Sequence, residues 1–164
     1  MNGQARRKCV FAGTFDPPTL GHEAIVRDCL RMFDEVVVAV LTNPSKTPYF
    51  TIEERMEMLS AVFQNEPCVR VTAFSGTAVE LLKKEDTKFY VRGIRNGVDL
   101  DYENALFYAN KKLDKDLIAV YLPCPQELLH VSSSMVKNCL RFHVPIDDYV
   151  SETVKAYVES HECK

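Results

Sequence analysis

KCVFAGTFDPPTLGHEAIVRDCLRMF, residues 8–33, contains the change of pattern on which the fold depends. Residues 8–12 predict a short strand and residues 13–20 a turn. After the turn, apolar side chains recur at helical spacing, at Ile25, Val26, Cys29, Leu30 and Phe33. Residues 21–33 are therefore predicted to form a helix with one apolar face. A strand that runs through a turn into such a helix is the repeating unit of an α/β fold.

The same alternation continues along the rest of the chain. Apolar runs predict further strands at residues 35–41, 68–74, 88–92 and 117–122. Helical spacing and capping residues predict helices at residues 51–63, 77–85, 101–113, 132–142 and 147–159. We therefore expect one domain over residues 1–164, a Rossmann-like doubly wound α/β fold with a five-stranded parallel sheet and C-terminal helices.

Composition and charge exclude several classes of function. The 164 residues include 20 Lys and Arg against 23 Asp and Glu, a net charge of −3 that provides no basic surface for nucleic acid. The longest purely apolar run, residues 36–41, is far shorter than the ~20 residues of a membrane helix. No secretory signal is visible, so we expect a cytoplasmic protein without a membrane partner. Six cysteines without a CxxC pair indicate reduced thiols rather than disulfides or metal ligands.

Three loops lie where parallel α/β sheets bind ligands, at the carboxyl ends of strands near a switch point: residues 13–22, 92–96 and 126–134. In the first loop, Gly13 permits close approach of the backbone to a ligand. His22 stands at a helix start, where N–H groups favour anions. The loop has neither the GxGxxG nor the GxxxxGK[ST] pattern. The residues alone therefore leave a stiff turn followed by a helix-cap histidine as an alternative.

Three motifs in these loops carry a family resemblance. Residues 13–22, GTFDPPTLGH, resemble the signature of the adenylyltransferase branch of the nucleotidylyltransferase superfamily, in which many members have histidine where this chain has Thr19. With Thr19, VRGIRN at residues 91–96 and VSSS at residues 131–134, the chain is similar over nearly its whole length to the phosphopantetheine adenylyltransferases. The resemblance implies adenylyl transfer from ATP to 4'-phosphopantetheine, which yields dephospho-coenzyme A and pyrophosphate.

The resemblance also implies a set of residues on the nucleotide side. Four residues would be catalytic: His22, Lys46, Thr14 and Arg95. The implied ATP-binding residues are Thr14, Phe15, His22, Gly93, Ile94, Arg95, Glu103, Leu128, Leu129, His130, Val131, Ser132, Ser133 and Ser134. Without the resemblance, a carboxylate at the position of Glu103 is more often a partner of a helix N-terminus, and Ser132 could be an ordinary N-cap at a helix start that can also bind an anion.

On the acceptor side, the resemblance implies phosphopantetheine contacts from Thr14, Lys46, Ala78, Arg92, Leu106 and Asn110. Lys46 and Thr14 would hold the attacking phosphate. Other readings of these residues stay open. Lys46 could be a solvated surface lysine, Arg92 could pair with a surface carboxylate, and Leu106 and Asn110 could be a core leucine and a surface amide.

The implied reaction requires the enzyme to reduce the repulsion between two negatively charged substrates, and it does not require a general base. A phosphate monoester has a second pKa of about 6 and is mostly dianionic at pH 7, so it can attack the α-phosphorus of ATP in line without a covalent enzyme intermediate. His22 would then stabilise the transition state as a hydrogen-bond donor. We expect Mg²⁺ to accompany ATP, and we expect no dedicated protein metal site.

The resemblance further implies a homohexamer and feedback inhibition by coenzyme A. Two alternatives remain at this point. One is another nucleotidylyltransferase, with nicotinamide mononucleotide or a phosphorylated alcohol as acceptor. The other is a non-catalytic protein that binds a nucleotide or coenzyme A.

Overall fold

The computed structural model describes residues 6–42, 45 and 47–162. Its five strands are Lys8–Gly13 (β1), Glu35–Leu41 (β2), Val69–Phe74 (β3), Phe89–Ile94 (β4) and Ile118–Pro123 (β5). They pair in parallel in the order β3-β2-β1-β4-β5. The prediction of a five-stranded parallel sheet is confirmed.

Six α-helices connect and follow the strands in the described part of the chain. They are Leu20–Leu30 (α1), Ile52–Val62 (α2), Ala78–Lys84 (α3), Gly97–Leu113 (α4), Ser133–Arg141 (α5) and Glu152–Glu162 (α6). A single 3₁₀ turn, Gln126–Leu128, precedes α5. Helices α1, α2 and α3 each begin with a capping box led by a threonine, namely Thr19, Thr51 and Thr77.

The predicted starts of α4 and α6 were wrong. Helix α4 begins at residue 97 rather than 101, because the side chain of Asn96 accepts a hydrogen bond from the Asp99 N–H at 2.9 Å and caps the helix earlier. Helix α6 begins at residue 152 rather than 147. Before it, the carbonyl of Ile146 accepts from the Tyr149 N–H at 3.0 Å, and the Tyr149 carbonyl accepts from the Leu20 N–H of α1, also at 3.0 Å. Residues 147–151 therefore form a separate turn docked on α1.

Strand β1 supplies side chains alternately to two cores, one on each face of the sheet. Phe11 and Val38 of one face pack with α1 and α2, through Ile25, Val26 and Leu59. On the other face a second core forms with residues of α3, and it contains Val10, Ala12, Val37, Ala39, Val79, Leu81 and Leu82. Because β2 is buried on both faces, its run of valines agrees with a central parallel strand. The sheet is therefore doubly wound, as predicted.

The C-terminal helices form a third cluster against α2. Met58 of α2 packs with Val136 and Leu140 of α5 and with Val154 and Val158 of α6. This packing places the start of α5 beside the loop that follows β1. The chain continues from β1 to β2 and β3 on one side and then crosses to β4 and β5 on the other, so the switch point lies between β1 and β4.

Across the residues described, no helix combines the length and the apolar character needed to cross a membrane. The five described cysteines are free thiols, and Cys9, Cys29 and Cys139 are buried. Cys163 lies outside the described residues.

Candidate functional site

A cleft of about 270 Å³ opens at the switch point, at the carboxyl ends of β1 and β4. Ten of the predicted nucleotide and acceptor residues line it: Thr14, Phe15, His22, Arg92, Gly93, Arg95, Glu103, Val131, Ser132 and Ser133. We call this cleft the switch-point cleft. The fold therefore brings together parts of all three loops that the sequence indicated.

The loop after β1 forms part of the lining of the switch-point cleft. Phe15 has a positive φ of 47°, a conformation that costs energy in a non-glycine residue, and its side chain is buried. The ring packs edge-on against the Phe11 ring, with 5.5 Å between ring centroids, and against the imidazole of His22, with 4.9 Å between centroids. A Cβ at residue 13 would lie 3.3 Å from the Phe15 ring, so a larger residue there would require the ring to shift by a few tenths of an ångström. The buried Phe15 ring therefore packs against the His22 ring and restricts its position.

Thr19 fixes the orientation of the His22 ring. The backbone N–H of Thr19 donates to Nδ1 of His22 at 3.1 Å, and the Thr19 hydroxyl accepts from the His22 N–H at 3.5 Å. Because Nδ1 accepts this bond, the proton of a neutral imidazole resides on Nε2. The capping box of α1 therefore makes His22 a donor through Nε2–H. The sequence comparison of Thr19 with histidine did not reveal this role.

The electrostatic surroundings keep His22 uncharged. Burial, followed by the positive charges of Arg92 and Arg95, lowers the pKa of His22 to about 4. At pH 7 the ring is neutral, so it holds no proton that is easily given up. In this arrangement His22 can donate a hydrogen bond to a phosphate oxygen, but it is poorly suited to act as a general acid.

Arg92 and Glu103 form a partly buried ion pair beside His22. Nη2 of Arg92 donates to Oε1 of Glu103 at 2.7 Å, and Nη1 donates to the carbonyl of Ala12 at 2.6 Å. Glu103 is buried, so the alternative that Arg92 pairs with a surface carboxylate is wrong. The sequence analysis placed Arg92 on the acceptor side and Glu103 on the ATP side. The pair joins the two sides across the end of β4.

Arg95 pairs with a nearby carboxylate in this structure. Its backbone N–H and its Nε each donate to Oδ2 of Asp99, both at 3.1 Å. Asp99 lies in the first turn of α4, which begins four residues before the predicted start at residue 101. A phosphate that binds the Nε edge of the Arg95 guanidinium would therefore have to displace Asp99 from it.

A second cavity of about 280 Å³ adjoins the switch-point cleft and contains the predicted acceptor residues. Ala78, Arg92, Leu106 and Asn110 all line it, together with Glu103. Because Arg92 and Glu103 line both spaces, the two cavities share this ion pair as a wall. Leu106 is 41% exposed, so its alternative reading as a core leucine is wrong. We call this space the α4 cavity.

A third cavity, of about 560 Å³, lies on the other side of Thr14. Ser133 and Ser134 of α5 line it, and so do three charged residues that the sequence analysis did not select for the site: Asp16, Arg55 and Lys137. A stiff turn that includes Asp16 was one of the two alternatives left open for the loop at residues 13–22. Helical periodicity gives no sign that Arg55 is buried. Lys46 lies outside the described residues, although Thr42 and Thr47 on either side of its loop line this cavity.

The start of α5 has a side-chain N-cap and backbone N–H groups that the helix itself does not bond. Ser132 is the N-cap and accepts from the Met135 N–H at 3.1 Å, which confirms the N-cap interpretation. The first N–H groups of a helix have no partner within the helix, so this end can also receive an anion. Four predicted nucleotide residues do not line the three cavities: Ile94, Leu128, Leu129 and His130. The His130 ring packs instead against Tyr149, at 5.9 Å.

Comparison with known proteins places the chain among nucleotidyl-transferring enzymes. The cytidylyltransferase-like family model matches residues 10–139. The chain is 39% identical over 145 residues to a phosphopantetheine adenylyltransferase of Lachnoclostridium phytofermentans, covering 88% of this chain and 89% of the relative. It is 34% identical over 158 residues to one of Campylobacter hominis, covering 96% of this chain and 99% of the relative.

A solved structure supports the fold. A protein assigned as a nicotinate-nucleotide adenylyltransferase, from Vibrio parahaemolyticus, superimposes with a TM-score of 0.72 and covers 94% of this chain and 93% of its own. Its sequence identity is 20%, so the likeness concerns the architecture alone.

Proposed function

The chain belongs to the phosphopantetheine adenylyltransferase family of cytidylyltransferase-like proteins, and on this premise we propose that it transfers the adenylyl group of ATP to 4'-phosphopantetheine. The products are dephospho-coenzyme A and pyrophosphate, the penultimate step of coenzyme A biosynthesis. The observation that carries the proposal is the His22 ring, which Thr19 holds as a neutral donor in the switch-point cleft beside Arg95.

The reaction proposed is a direct in-line displacement. The acceptor phosphate is mostly dianionic at pH 7 and needs no base. The difficulty is the approach of two polyanions, which positioned donors and cations relieve. Nε2–H of His22, the guanidinium of Arg95 and the free N–H groups at the start of α5 supply these donors on the ATP side. Their convergence on one cleft supports nucleotide binding there.

On the acceptor side, Thr14 and Lys46 would hold the attacking phosphate, while the α4 cavity would take the pantetheine arm. The lining of that cavity combines apolar side chains with the amide of Asn110. Such a lining suits an arm that carries amide groups between short carbon chains. The shared wall of Arg92 and Glu103 would then separate the arm from the nucleotide.

Mg²⁺ would enter with ATP and be held mainly by its phosphates. The carboxylates that line the three cavities are Asp16, Asp99 and Glu103, and each is already paired with a cationic side chain. The described residues of these cavities therefore offer Mg²⁺ no carboxylate that lacks a cationic partner. Coenzyme A contains the same pantetheine arm, so we propose that it competes for the α4 cavity as a feedback inhibitor. We further propose one nucleotidylyltransferase domain over residues 1–164 that acts in the cytoplasm as a homohexamer.

The test is release of pyrophosphate from Mg²⁺ and ATP with 4'-phosphopantetheine as acceptor. Parallel reactions use nicotinamide mononucleotide and glycerol 3-phosphate. His22→Ala should lower kcat by about 10²–10³-fold, as the loss of one preorganised donor does elsewhere, with ATP affinity changed by a few-fold at most. His143→Ala is the matched control, since His143 is exposed in the loop after α5.

Two results would contradict the proposal. Preference for nicotinamide mononucleotide or glycerol 3-phosphate would show a different acceptor. Binding of ATP without turnover of any acceptor would favour the non-catalytic binding protein. Full activity of His22→Ala would leave the overall reaction intact and remove only the role of Nε2–H.

A further inference from the structure

Asp16 lies at a junction of three segments that border the third cavity. Its carboxylate is buried and accepts three hydrogen bonds. Oδ1 accepts from the N–H of Phe50 at 2.8 Å, and Oδ2 accepts from the N–H of Tyr49 at 2.9 Å. Oδ2 also accepts from Nζ of Lys137 in α5 at 3.2 Å. The loop after β1, the segment before α2 and helix α5 therefore meet at one side chain.

Two further contacts hold the same junction together. Arg55 is buried, and its Nη1 donates to the carbonyl of Thr14 at 2.8 Å while its Nε donates to the carbonyl of Thr51 at 3.1 Å. The hydroxyl of Ser133 donates to the carbonyl of Pro17 at 2.8 Å. The segment before α2 is thus attached to the loop after β1 through both Asp16 and Arg55. Asp16, Arg55 and Lys137 have no role in the reaction as proposed above.

We propose that Asp16 is a positioning residue for adenylyl transfer. It holds the segment that follows Lys46 at a set distance from Thr14 and from the start of α5. The inference rests on the proposed function, in which Lys46 and Thr14 together grip the attacking phosphate. Tyr49 and Phe50 are only three and four residues after Lys46. A clamp on their N–H groups therefore holds residues 49 and 50, the described segment shortly after Lys46 in the sequence, against the loop after β1.

The chemistry of the junction suits a clamp better than a substrate contact. The carboxylate has little exposed surface, and its two oxygens are engaged by two N–H groups and one ammonium. Hydrogen bonds to a charged group are stronger and shorter than neutral ones. A buried charge also penalises the departure of any one partner, because the charge is then left uncompensated. Displacement of any one of the three segments therefore costs free energy.

The decisive experiment is a double-mutant cycle between Asp16 and Lys46, measured as acceptor-dependent pyrophosphate release. Asp16→Asn keeps the shape but replaces an acceptor oxygen with an NH₂ group that must face an N–H or the ammonium. We expect a fall in kcat of about 10–100-fold, the effect of an ångström-scale misplacement. ATP affinity should stay within about 2-fold of wild type, because His22 and Arg95, two of the donors proposed for ATP, lie in the switch-point cleft and make no hydrogen bond or ion pair with Asp16. In a Lys46→Ala background, Asp16→Asn should lower kcat by less than about 3-fold.

Several outcomes separate the proposal from a merely structural role. Equal losses in both backgrounds, or no loss in the native background, would overturn the role of Asp16. Asp147→Asn removes an ion-paired carboxylate away from the cavities and should leave kcat unchanged. If Asp16→Asn fails to fold, Lys137→Met removes one arm of the clamp. Lys137→Met should lower kcat by about 3–10-fold in the native background and by less in the Lys46→Ala background. Additive effects of the two substitutions on kcat would overturn the proposal. Absence of acceptor-dependent release by the wild-type protein would instead overturn the proposed function.

Discussion

Replacement of His22 by asparagine should change how the stability of the protein depends on pH. The folded protein holds the His22 ring neutral, with a pKa lowered to about 4 by burial and by the charges of Arg92 and Arg95. In the unfolded chain the same group has the ordinary histidine value of about 6.5. As the pH falls below 6.5, the unfolded state takes up a proton that the folded state does not. The contribution of His22 to stability is therefore complete above pH 6.5 and is lost progressively toward pH 4.

The size of this loss follows from the difference between the two pKa values. At about 1.36 kcal/mol per pKa unit, the full effect is about 3 kcal/mol, of which about 2 kcal/mol is lost by pH 5. The His22 side chain keeps partial contact with solvent, which reduces the penalty for charging it. We therefore expect the wild-type protein to lose about 1–2 kcal/mol more than His22→Asn between pH 8 and pH 5.

Urea unfolding at pH 8 and pH 5 measures this difference, with free energies obtained by linear extrapolation. Protein concentration must be the same throughout, because assembly would shift the apparent stability. Carboxylates titrate in both proteins, so their effect cancels in the comparison. His143→Asn controls for the loss of an exposed histidine. If His22→Asn and wild type lose the same free energy between the two pH values, the pKa of His22 is not lowered in the folded protein, and the argument that burial, Arg92 and Arg95 keep the ring neutral is wrong.

Three other substitutions test the packing around the switch-point cleft. Thr19→Val removes the hydroxyl that caps α1 and should lower the free energy of unfolding by about 1 kcal/mol, measured in urea, whereas Thr19→Ser should restore it. Glu103→Gln leaves Arg92 beside a neutral partner and should destabilise the fold by about 2 kcal/mol; an unchanged urea midpoint would mean that the ion pair contributes nothing. Gly93→Ala places a Cβ at 3.0 Å from Ile25 and should raise the KM for ATP by a few-fold, at a stability cost of about 1 kcal/mol.

Local sequence patterns predicted the elements well where a single chemical signal was strong. The valine run of β2 and the capping box of α2 led to the correct elements, because periodicity and capping depend on residues close together in the chain. The start of α4 was missed because Gly97 is a weak helix former. The N-cap at Asn96 lies just before Gly97, in a segment that also looked like a ligand loop. Boundaries fail where two local signals conflict.

The sequence by itself determined the α/β alternation, the three ligand loops and the family, since each follows from short motifs and their order. Only the tertiary structure decided the strand order, the lowered pKa of His22 and the cluster around Asp16. Asp16 bonds to residues 33, 34 and 121 positions away, and such distances leave no trace in local periodicity. Charge and burial at a site depend on which distant segments pack around it. For that reason the chemistry of Asp16 and His22 could be read only from the folded chain.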